Sequence, residues 1–456
     1  MGKSWRIIIL LLVCSIVWAG CRGLRASERP TEEAVVEPTD TPVPKDTPTP
    51  TPLPPLALVF WSSSPTQLAF WSEMARLYLE QHPDMTIRVE MMPNSSTPEG
   101  AIQSAITGGA APHASEGVSV GFGADLAHSE AIIPLNEMPG WQEVVEARRM
   151  GQAIGQWQAE DGHVYVLPLH TSPVLWAWRT DLLGDLGNAS LPRTYDEVVA
   201  VGNEIRATRP ESYVWSLSTL RRDVWWGQWF DFLSLYYAAS GGQPLVAGSE
   251  ITADDDAAVE ALAFLRELQA DGLLHTEEAA DTLETGGSIC GPVVPLTTRA
   301  WRYRFPEMQM GMTYSLDVPP VPASYPVGEP VHVVAESRGV AIYAQSSTRE
   351  RAAMWEFVRW VFSNPEHDLI WLQHTGLLPV RDDLMTNELF RAYLDDHPQL
   401  VPYAEALPHA ALSIDHPNYA RIQAALGEEA VMPVIRGEKE PAEAWQDWKD
   451  AVQNLL

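Results

Sequence analysis

Cysteine is scarce in this 456-residue sequence, which contains only Cys14, Cys21 and Cys290. Cys14 lies inside an apolar N-terminal run and Cys21 follows that run, so Cys290 is alone in the rest of the chain. If the run is removed as a leader, the folded body cannot form an internal disulfide. Its stability must then come from its core, and a hydrophobic fraction of 46 % is ample for two packed domains.

Basic residues are also few, since 30 Lys and Arg stand against 60 Asp and Glu and give a formal net charge of −30. A field of this sign repels nucleic acid and anionic membrane, so no nucleic-acid partner is predicted. The histidines show no H-E-x-x-H spacing, and no Cys/His zinc pattern occurs. We therefore predict a protein that is not an enzyme, with no metal site, no cofactor and no catalytic residues.

The N-terminal apolar run, residues 7–18, is too short to span a bilayer. It follows Lys3 and Arg6, as in a signal peptide, which we predict over residues 1–20. The run ends in Trp18-Ala19-Gly20-Cys21, which resembles the lipobox of bacterial lipoproteins, with Trp18 where an aliphatic residue is usual. The resemblance implies lipidation of Cys21 and an extracytoplasmic protein anchored to the cell membrane. Plain secretion and an uncleaved anchor are the alternatives.

Residues 21–55 are predicted to be a tether rather than a folded segment. From residue 27 the sequence reads SERPTEEAVVEPTDTPVPKDTPTPTPLPP, which has no apolar period to bury. Repeated Thr-Pro favours polyproline II, a semi-rigid spacer. An anchor followed by a spacer fits a receptor held at a membrane better than a freely diffusing enzyme.

Strands and helices alternate at the start of the body. Residues 56–61 are predicted to be a buried strand, TQLAFWSEMARLYLEQHP a helix, MTIRVEMMP a second strand and EGAIQSAITGGAAPHA a second helix. This order is typical of a parallel sheet covered by helices, the α/β fold class. GHVYVLPLH is predicted to be a further strand, and VHVVAESRGVAIYAQS two strand-like pieces.

Several later segments are predicted to be helices. PRTYDEVVAVGNEIRATRP is expected to be capped by Thr194, and TADDDAAVEALAFLRELQADGLL carries Asp254, Asp255 and Asp256 at its positive end. A helix, a break, a second helix and a turn are predicted in TRERAAMWEFVRWVFSNPEHDLIWLQHTGLLPV. A last amphipathic helix is predicted in PAEAWQDWKDAVQNLL.

These segments, in this order, resemble the family-1 extracellular solute-binding proteins of bacterial ABC importers, the group that contains maltodextrin and other sugar receptors. The resemblance extends over residues 56–456 and is carried by TGGAAPHA, DGHVYVLPLHTSPVLWAWRTDLL, LPRTYDEV, FLRELQADGLL and HTGLLPVRDDL, among others. The sequence departs from the family pattern at His113, where Asp is common, at Trp178-Arg179, where Tyr-Asn is usual, and at Tyr195, where Trp is usual.

The resemblance implies a two-lobed, type II periplasmic-binding-protein-like fold whose lobes are built from discontinuous chain. The N-terminal lobe would hold residues 56–168 and 336–377, and the C-terminal lobe residues 169–335 and 378–456. Hinge strands would cross near Leu169, Ala335 and Leu377. A sugar or oligosaccharide would bind between the lobes, and the closed form would be recognised by an ABC transporter permease. A monomer is expected.

A sugar has apolar C–H faces and hydroxyl rims, so its site needs aromatic plates and short polar side chains. Four segments are candidate sources of such side chains. They are the end of the first strand, the lobe crossing, an aromatic helix, and the segment before MQMGMTYSL, where the family often supplies an aromatic. Ten residues are predicted to contact the solute: Trp61, Ser62, Ser64, Trp178, Trp225, Trp226, Trp229, Trp301, Arg302 and Tyr303. For each tryptophan, packing in the core is the alternative.

Other functions stay open. Gly117-Val118-Ser119-Val120-Gly121 matches the G-x-S-x-G nucleophile elbow of hydrolases, but that motif needs a strand before it, and APHASE is not strand-like. Tyr236-Tyr237 could suggest a ferric-ion site, although its apolar helix favours core packing. The same fold could also bind a glycerol-phosphate-like ligand or a polyamine. Arg179 or Arg302 in the cleft would favour a phosphate.

Overall fold

The computed structural model describes residues 54–95, 97–187, 190–217, 230–276, 282–308, 311–412 and 414–456, with the backbone alone at residues 230 and 303–308. The chain divides into Met1–Leu53 and a body that runs from Pro54 to Leu456. At the start of the body, Arg349 Nη1 donates a hydrogen bond to the Pro54 carbonyl at 2.8 Å. None of the described helices combines the length and apolar character that a membrane span requires.

The described residues form thirteen strands: β1 Leu56–Ser62, β2 Met85–Met91, β3 Ala114–Ser119, β4 Leu167–Pro173, β5 Leu175–Arg179, β6 Tyr213–Ser216, β7 Val246–Ala247, β8 Glu250–Ile251, β9 Leu274–His275, β10 Ser288–Val293, β11 Tyr314–Asp317, β12 Val333–Ile342 and β13 Ala410–Leu412.

Their α-helices are α1 Pro65–Leu79, α2 Pro98–Thr107, α3 Val120–His128, α4 Trp141–Ala147, α5 Thr180–Asp185, α6 Tyr195–Thr208, α7 Phe230–Ala239, α8 Asp255–Ala270, α9 Thr282–Thr285, α10 Pro295–Met308, α11 Thr348–Phe362, α12 Pro365–Thr375, α13 Glu388–Asp396, α14 Val401–Ala406, α15 Tyr419–Ala425, α16 Met432–Ile435 and α17 Pro441–Gln453.

Two sheets organise the body. The first has the order β13-β12-β3-β1-β2, with β4 paired to β12, and the second has the order β11-β5-β10-β6-β9. In the first sheet β1 is parallel to both β2 and β3, as the strand–helix–strand pattern predicts. The mixed α/β fold class is therefore confirmed.

One segment of the chain connects the two sheets directly, and a second segment runs beside it. β4 ends at Pro173 and β5 begins at Leu175, so one residue separates a strand of the first sheet from a strand of the second. Beside β4, the Thr171 N–H donates to the Leu378 carbonyl at 3.0 Å, and the Val380 N–H donates to the Leu169 carbonyl at 3.2 Å. These bonds place the two segments next to each other, and we call residues 167–175 and 377–381 the crossing segments.

A buried ionic network holds these crossing segments. The Asp368 carboxylate accepts from Arg148 Nη2 at 2.9 Å and from Arg381 Nη1 at 2.9 Å, and all three side chains are at most 2 % exposed. Arg148 also donates to the carbonyls of Pro168 and Leu169 in β4. One buried carboxylate therefore joins α12 to two crossing segments of the chain.

Helix ends and cores follow local sequence. Thr194 and Ser347 form capping boxes at α6 and α11, and the Asp254 side chain accepts from the Ala257 N–H at 3.0 Å at the start of α8. Beneath the first sheet, Phe60 packs on Trp71 with ring centroids 4.2 Å apart. These caps and apolar faces account for the helices that the sequence predicts.

Three segments differ from prediction. The strand predicted in GHVYVLPLH begins only at Leu167, because residues 163–166 lie in a loop. The two strand-like pieces around residues 331–346 are one strand, β12, whose pairing is interrupted by an irregularity near Gly339. Residues 114–119 form β3 although their composition does not suggest a strand.

Candidate functional site

A buried carboxylate from the middle of β3 lies beside the carboxyl end of β1. Glu116 is fully buried, and its Oε1 accepts from Ser62 Oγ at 2.9 Å, from the Ser63 N–H at 2.7 Å and from Ser63 Oγ at 3.1 Å. Burial raises the pKa of this carboxyl, whereas the bonds from the two serines and the charge of Arg338 act to lower it. The net direction is upward, so the site holds a weakly solvated acid.

Arg338 of β12 links this carboxylate to neighbouring elements. Its Nη1 donates to Glu99 Oε1 at 2.6 Å and to the Gly117 carbonyl at 2.9 Å, and its Nε donates to Glu336 Oε1 at 2.9 Å. Glu99 lies in the first turn of α2, where the helix dipole favours a negative charge. We call Ser62, Ser63, Glu99, Glu116, Glu336 and Arg338 the edge cluster.

The edge cluster can position a polar solute. Ser62 and Glu116 are fully buried and bonded to each other, so the members that a hydroxyl-rich molecule can reach are Ser63, Glu336 and Arg338. Open α/β sheets bind ligands at the carboxyl ends of their strands, where this cluster lies. Within the described residues no three His, Cys, Asp or Glu side chains are arranged as ligands of a metal ion.

His170 lies in β4, next to Arg338 in the pairing of β4 with β12. Its ring is 6 % exposed and stacks on Trp371, with ring centroids 5.7 Å apart. Burial lowers the pKa of His170 to about 4, so the imidazole is neutral at physiological pH. β4 therefore carries no positive charge at this position.

Two adjoining cavities, of about 450 and about 600 Å³, lie beside the crossing segments. The Gln156 side chain lines both and donates to the Ala410 carbonyl at 3.3 Å. The larger one is bordered by Val120 at the start of α3 and by Tyr237 and His332. None of the predicted contact residues whose side chains the structure describes lines either cavity.

Three predicted residues lie at the end of β1. Trp61 is half-buried and pairs with Ser115 of β3, next to the edge cluster. Ser62 belongs to that cluster. Ser64 caps α1, accepting from the Gln67 N–H at 3.4 Å. Ser62, which is fully buried, is thus brought together with Glu116, Trp61 is its neighbour in β1, and Ser64 has a structural role at the helix start.

Two predicted tryptophans lie in the core instead. Trp178 is fully buried in β5, with its ring centroid 6.2 Å from that of Trp176. Trp301 is 2 % exposed, and its Nε1 donates to Glu284 Oε1 at 2.7 Å. β5 is paired on both edges, by β10 and β11, which explains the burial of Trp178. A contact of either ring with solute stays a prediction.

The remaining predicted residues are apart from the edge cluster or beyond the described part. Arg302 is exposed on α10, where its Nη1 donates to the Asp396 carbonyl at 3.3 Å. Tyr303 belongs to the same helix, and its side chain is outside the description. Four candidates lie outside the described residues: the predicted contacts Trp225, Trp226 and Trp229, and the predicted lipidation site Cys21.

The nucleophile-elbow candidate has a strand before it after all. β3 ends at Ser119 and α3 begins at Val120, so the expectation that no strand precedes the motif is wrong. Ser119 nevertheless has φ −76° and ψ 166°, an ordinary extended conformation rather than a strained turn. Its Oγ accepts from the Phe122 N–H at 3.4 Å, so the hydroxyl caps α3.

Two alternatives are resolved by burial and bonding. Tyr236 and Tyr237 are at most 1 % exposed in α7, which confirms that they pack in the core. Asp254 caps α8, and Asp255 accepts from Trp445 Nε1 at 2.8 Å and from Lys449 Nζ at 2.7 Å. The run of aspartates therefore serves a helix start, as its position in the sequence indicates.

Comparison with known proteins gives a consistent result. Residues 73–400 match the family model described as bacterial extracellular solute-binding protein. The crystal structure of an uncharacterized protein from Listeria monocytogenes is 40 % identical, with a TM-score of 0.81 over 88 % of this chain and 99 % of that one. None of the curated proteins compared with the chain matches it.

Two more distant structures share the fold. The cyclic α-maltosyl-1,6-maltose binding protein of Arthrobacter globiformis is 18 % identical, with a TM-score of 0.74 over 88 % of this chain and 99 % of that one. A Mycobacterium tuberculosis protein in complex with glycerophosphocholine is also 18 % identical, with a TM-score of 0.70 over 88 % and 98 %. The predicted two-lobed type II fold is confirmed by these likenesses.

Proposed function

Since the chain belongs to the family of bacterial extracellular solute-binding proteins, we propose that it captures a carbohydrate and delivers it to the permease of an ABC importer. The observation that carries this proposal is the edge cluster with Trp61 beside it. An indole face suits the C–H face of a sugar, and the accessible Ser63 and Glu336 suit its hydroxyls. The fold shared with a maltosyl-maltose binding protein supports the same solute class.

Capture requires two lobes that close on the solute. The proposed lobes are residues 56–168 with 336–377, and residues 169–335 with 378–456. The division of the strands between two sheets supports most of this assignment, although β13, from the proposed C-terminal lobe, pairs with β12 in the first sheet. Solute contacts to both lobes would favour the closed form, which a permease can recognise.

Attachment to the membrane is the second part of the proposal. The lipobox-like sequence at Cys21 and the Pro/Thr-rich tether support a lipid anchor. We expect Cys21→Ser to move the protein from the membrane fraction of producing cells to the medium or the soluble fraction, as seen by immunoblotting. Cys290→Ser is the matched control and should leave the protein membrane-bound. Equal distribution of wild type and Cys21→Ser would contradict lipidation.

Isothermal titration with maltose, maltotriose and cyclic glucosides tests the solute class. We expect saturable binding of at least one sugar, and Trp61→Ala should weaken it about 10-fold or more because the ring provides the stacking face. Trp360→Ala removes a half-buried tryptophan from α11 and should leave the affinity unchanged. A folded protein that binds no sugar of the panel would contradict the proposal.

The principal alternative is a phosphodiester solute, because the fold is shared with a protein that holds glycerophosphocholine. The edge cluster has one arginine among three glutamates, which favours a neutral or hydroxyl-rich molecule over an anion. Titration with glycerophosphocholine in the same series separates the two classes.

A further inference from the structure

A second polar cavity, of about 170 Å³, lies where α10, α12 and α13 meet. The polar groups that line it are Arg299, Arg302, Gln373, Tyr393, His397 and Gln399. None of these residues belongs to the edge cluster, and among the described residues no carboxylate side chain lines this cavity. In a chain with twice as many acidic as basic residues, this is a local concentration of positive charge.

The two arginines are three residues apart on α10 and so share one face of that helix. Both Nη atoms of Arg299 are 3.4 Å from the His374 carbonyl, and Arg302 Nη1 is 3.3 Å from the Asp396 carbonyl. These are long bonds to neutral acceptors, and each guanidinium has five N–H donors. Most of their donor capacity is therefore unused within the described part of the chain.

The neighbouring side chains add donors. His397 Nδ1 is 2.8 Å from the Tyr393 carbonyl, which places the proton of the neutral ring on that nitrogen and leaves Nε2 as an acceptor, so the donors added here are side-chain amides. The amides of Gln373 and Gln399 complete the lining. Three groups oppose an anion here: the carbonyl ends of α12 and α13, and the Glu73 carboxylate, which lies 3.1 Å from His374 Nε2. These groups do not cancel the two full positive charges of the arginines.

We propose that this cavity binds a small oxyanion, such as phosphate or sulfate, between Arg299 and Arg302. The planar guanidinium fork matches the oxygen spacing of phosphate and can make paired, charge-assisted bonds to it. The bound anion would join three helices that meet at the cavity, so it should also raise the resistance of the protein to unfolding.

The test is calorimetric titration of the purified protein with inorganic phosphate, in a buffer free of polyvalent anions. We expect one saturable site that sulfate competes for, and an increase in the thermal unfolding midpoint with phosphate concentration. Arg302→Gln should weaken phosphate binding at least 10-fold, and Arg302→Lys should weaken it less, because lysine keeps the charge but loses the fork.

Arg391→Gln is the control, since Arg391 is exposed on α13 and does not line the cavity. It should leave phosphate binding unchanged. The proposal is overturned if phosphate gives no saturable binding to the folded protein. Equal losses in Arg302→Gln and Arg391→Gln would overturn it as well, because they would indicate general surface attraction rather than a site.

Discussion

Asp368→Asn is expected to lower the free energy of unfolding by about 3–5 kcal/mol, the cost typical of removing one partner from a buried ion pair. Asp368 is the carboxylate shared by Arg148 and Arg381, and the asparagine keeps its shape but removes its charge. Arg148 is fully buried and would keep as partners only main-chain carbonyls and the neutral amide oxygen of the asparagine, so its charge would be left unpaired there. Urea unfolding at neutral pH, followed by tryptophan fluorescence, measures the change.

Asp185→Asn is the matched control for this prediction. Asp185 pairs with Arg209 at 2.6 Å, but their side chains are 62 % and 42 % exposed, so water screens the pair. Its loss should change the unfolding free energy by no more than about 1 kcal/mol. If both variants lose the same small amount, the network at the crossing segments does not hold the fold as described.

Gly121→Ala is expected to weaken solute binding by roughly 5–150-fold while changing thermal stability little. A β-carbon at Gly121 would lie 2.5 Å from the Ile414 carbonyl oxygen and 2.6 Å from Tyr419 Cγ. Gly121 belongs to the proposed N-terminal lobe, and Ile414 and Tyr419 to the C-terminal lobe. Since this contact joins the two proposed lobes, the added methyl is expected to penalise a closed form by about 1–3 kcal/mol, as overpacking does, and to leave an open form unaffected.

Gly184→Ala provides the comparison, because it also places a methyl on a helix, α5, but meets no atom within 4 Å. Its affinity for the solute should equal that of the wild type in isothermal titration. A Gly121→Ala protein that binds solute normally would argue against closure at this contact. A large loss of thermal stability would instead mean that α3 and α15 do not separate.

The elements that the sequence predicts correctly are those specified by nearby residues. α6 and α8 begin at Thr194 and Asp254, whose side chains make the capping bonds that their positions indicate. β1 is a short apolar run, and its parallel partner β2 follows one helix later. Such signals need no knowledge of distant contacts.

β3 was missed because its residues, ASEGVS, are small and polar, and all six are buried. A strand of this kind is stabilised by its neighbours β1 and β12 rather than by its own propensity. Local composition alone gives the wrong context for Ser119 for the same reason, because it does not indicate the strand that ends there.

The edge cluster could be predicted only in part. The position of Trp61 and Ser62 at a strand end was visible in the sequence, because a turn follows an apolar run. Glu116 and Arg338 were not, since their importance depends on two strands 222 residues apart in sequence becoming neighbours. With 60 acidic residues, no local property distinguishes Glu116 from the rest.

The direction of β1 has a mechanical consequence. The strand begins two residues after Pro54, where the proposed tether would join the body, and ends at Ser62 in the edge cluster. Seven residues of extended chain span about 20 Å, so the proposed attachment point and the proposed capture point occupy opposite ends of one strand. A pull on the proposed tether would therefore enter the body at the amino end of β1, where Leu56 pairs with Met85 of β2, and not at the capture point.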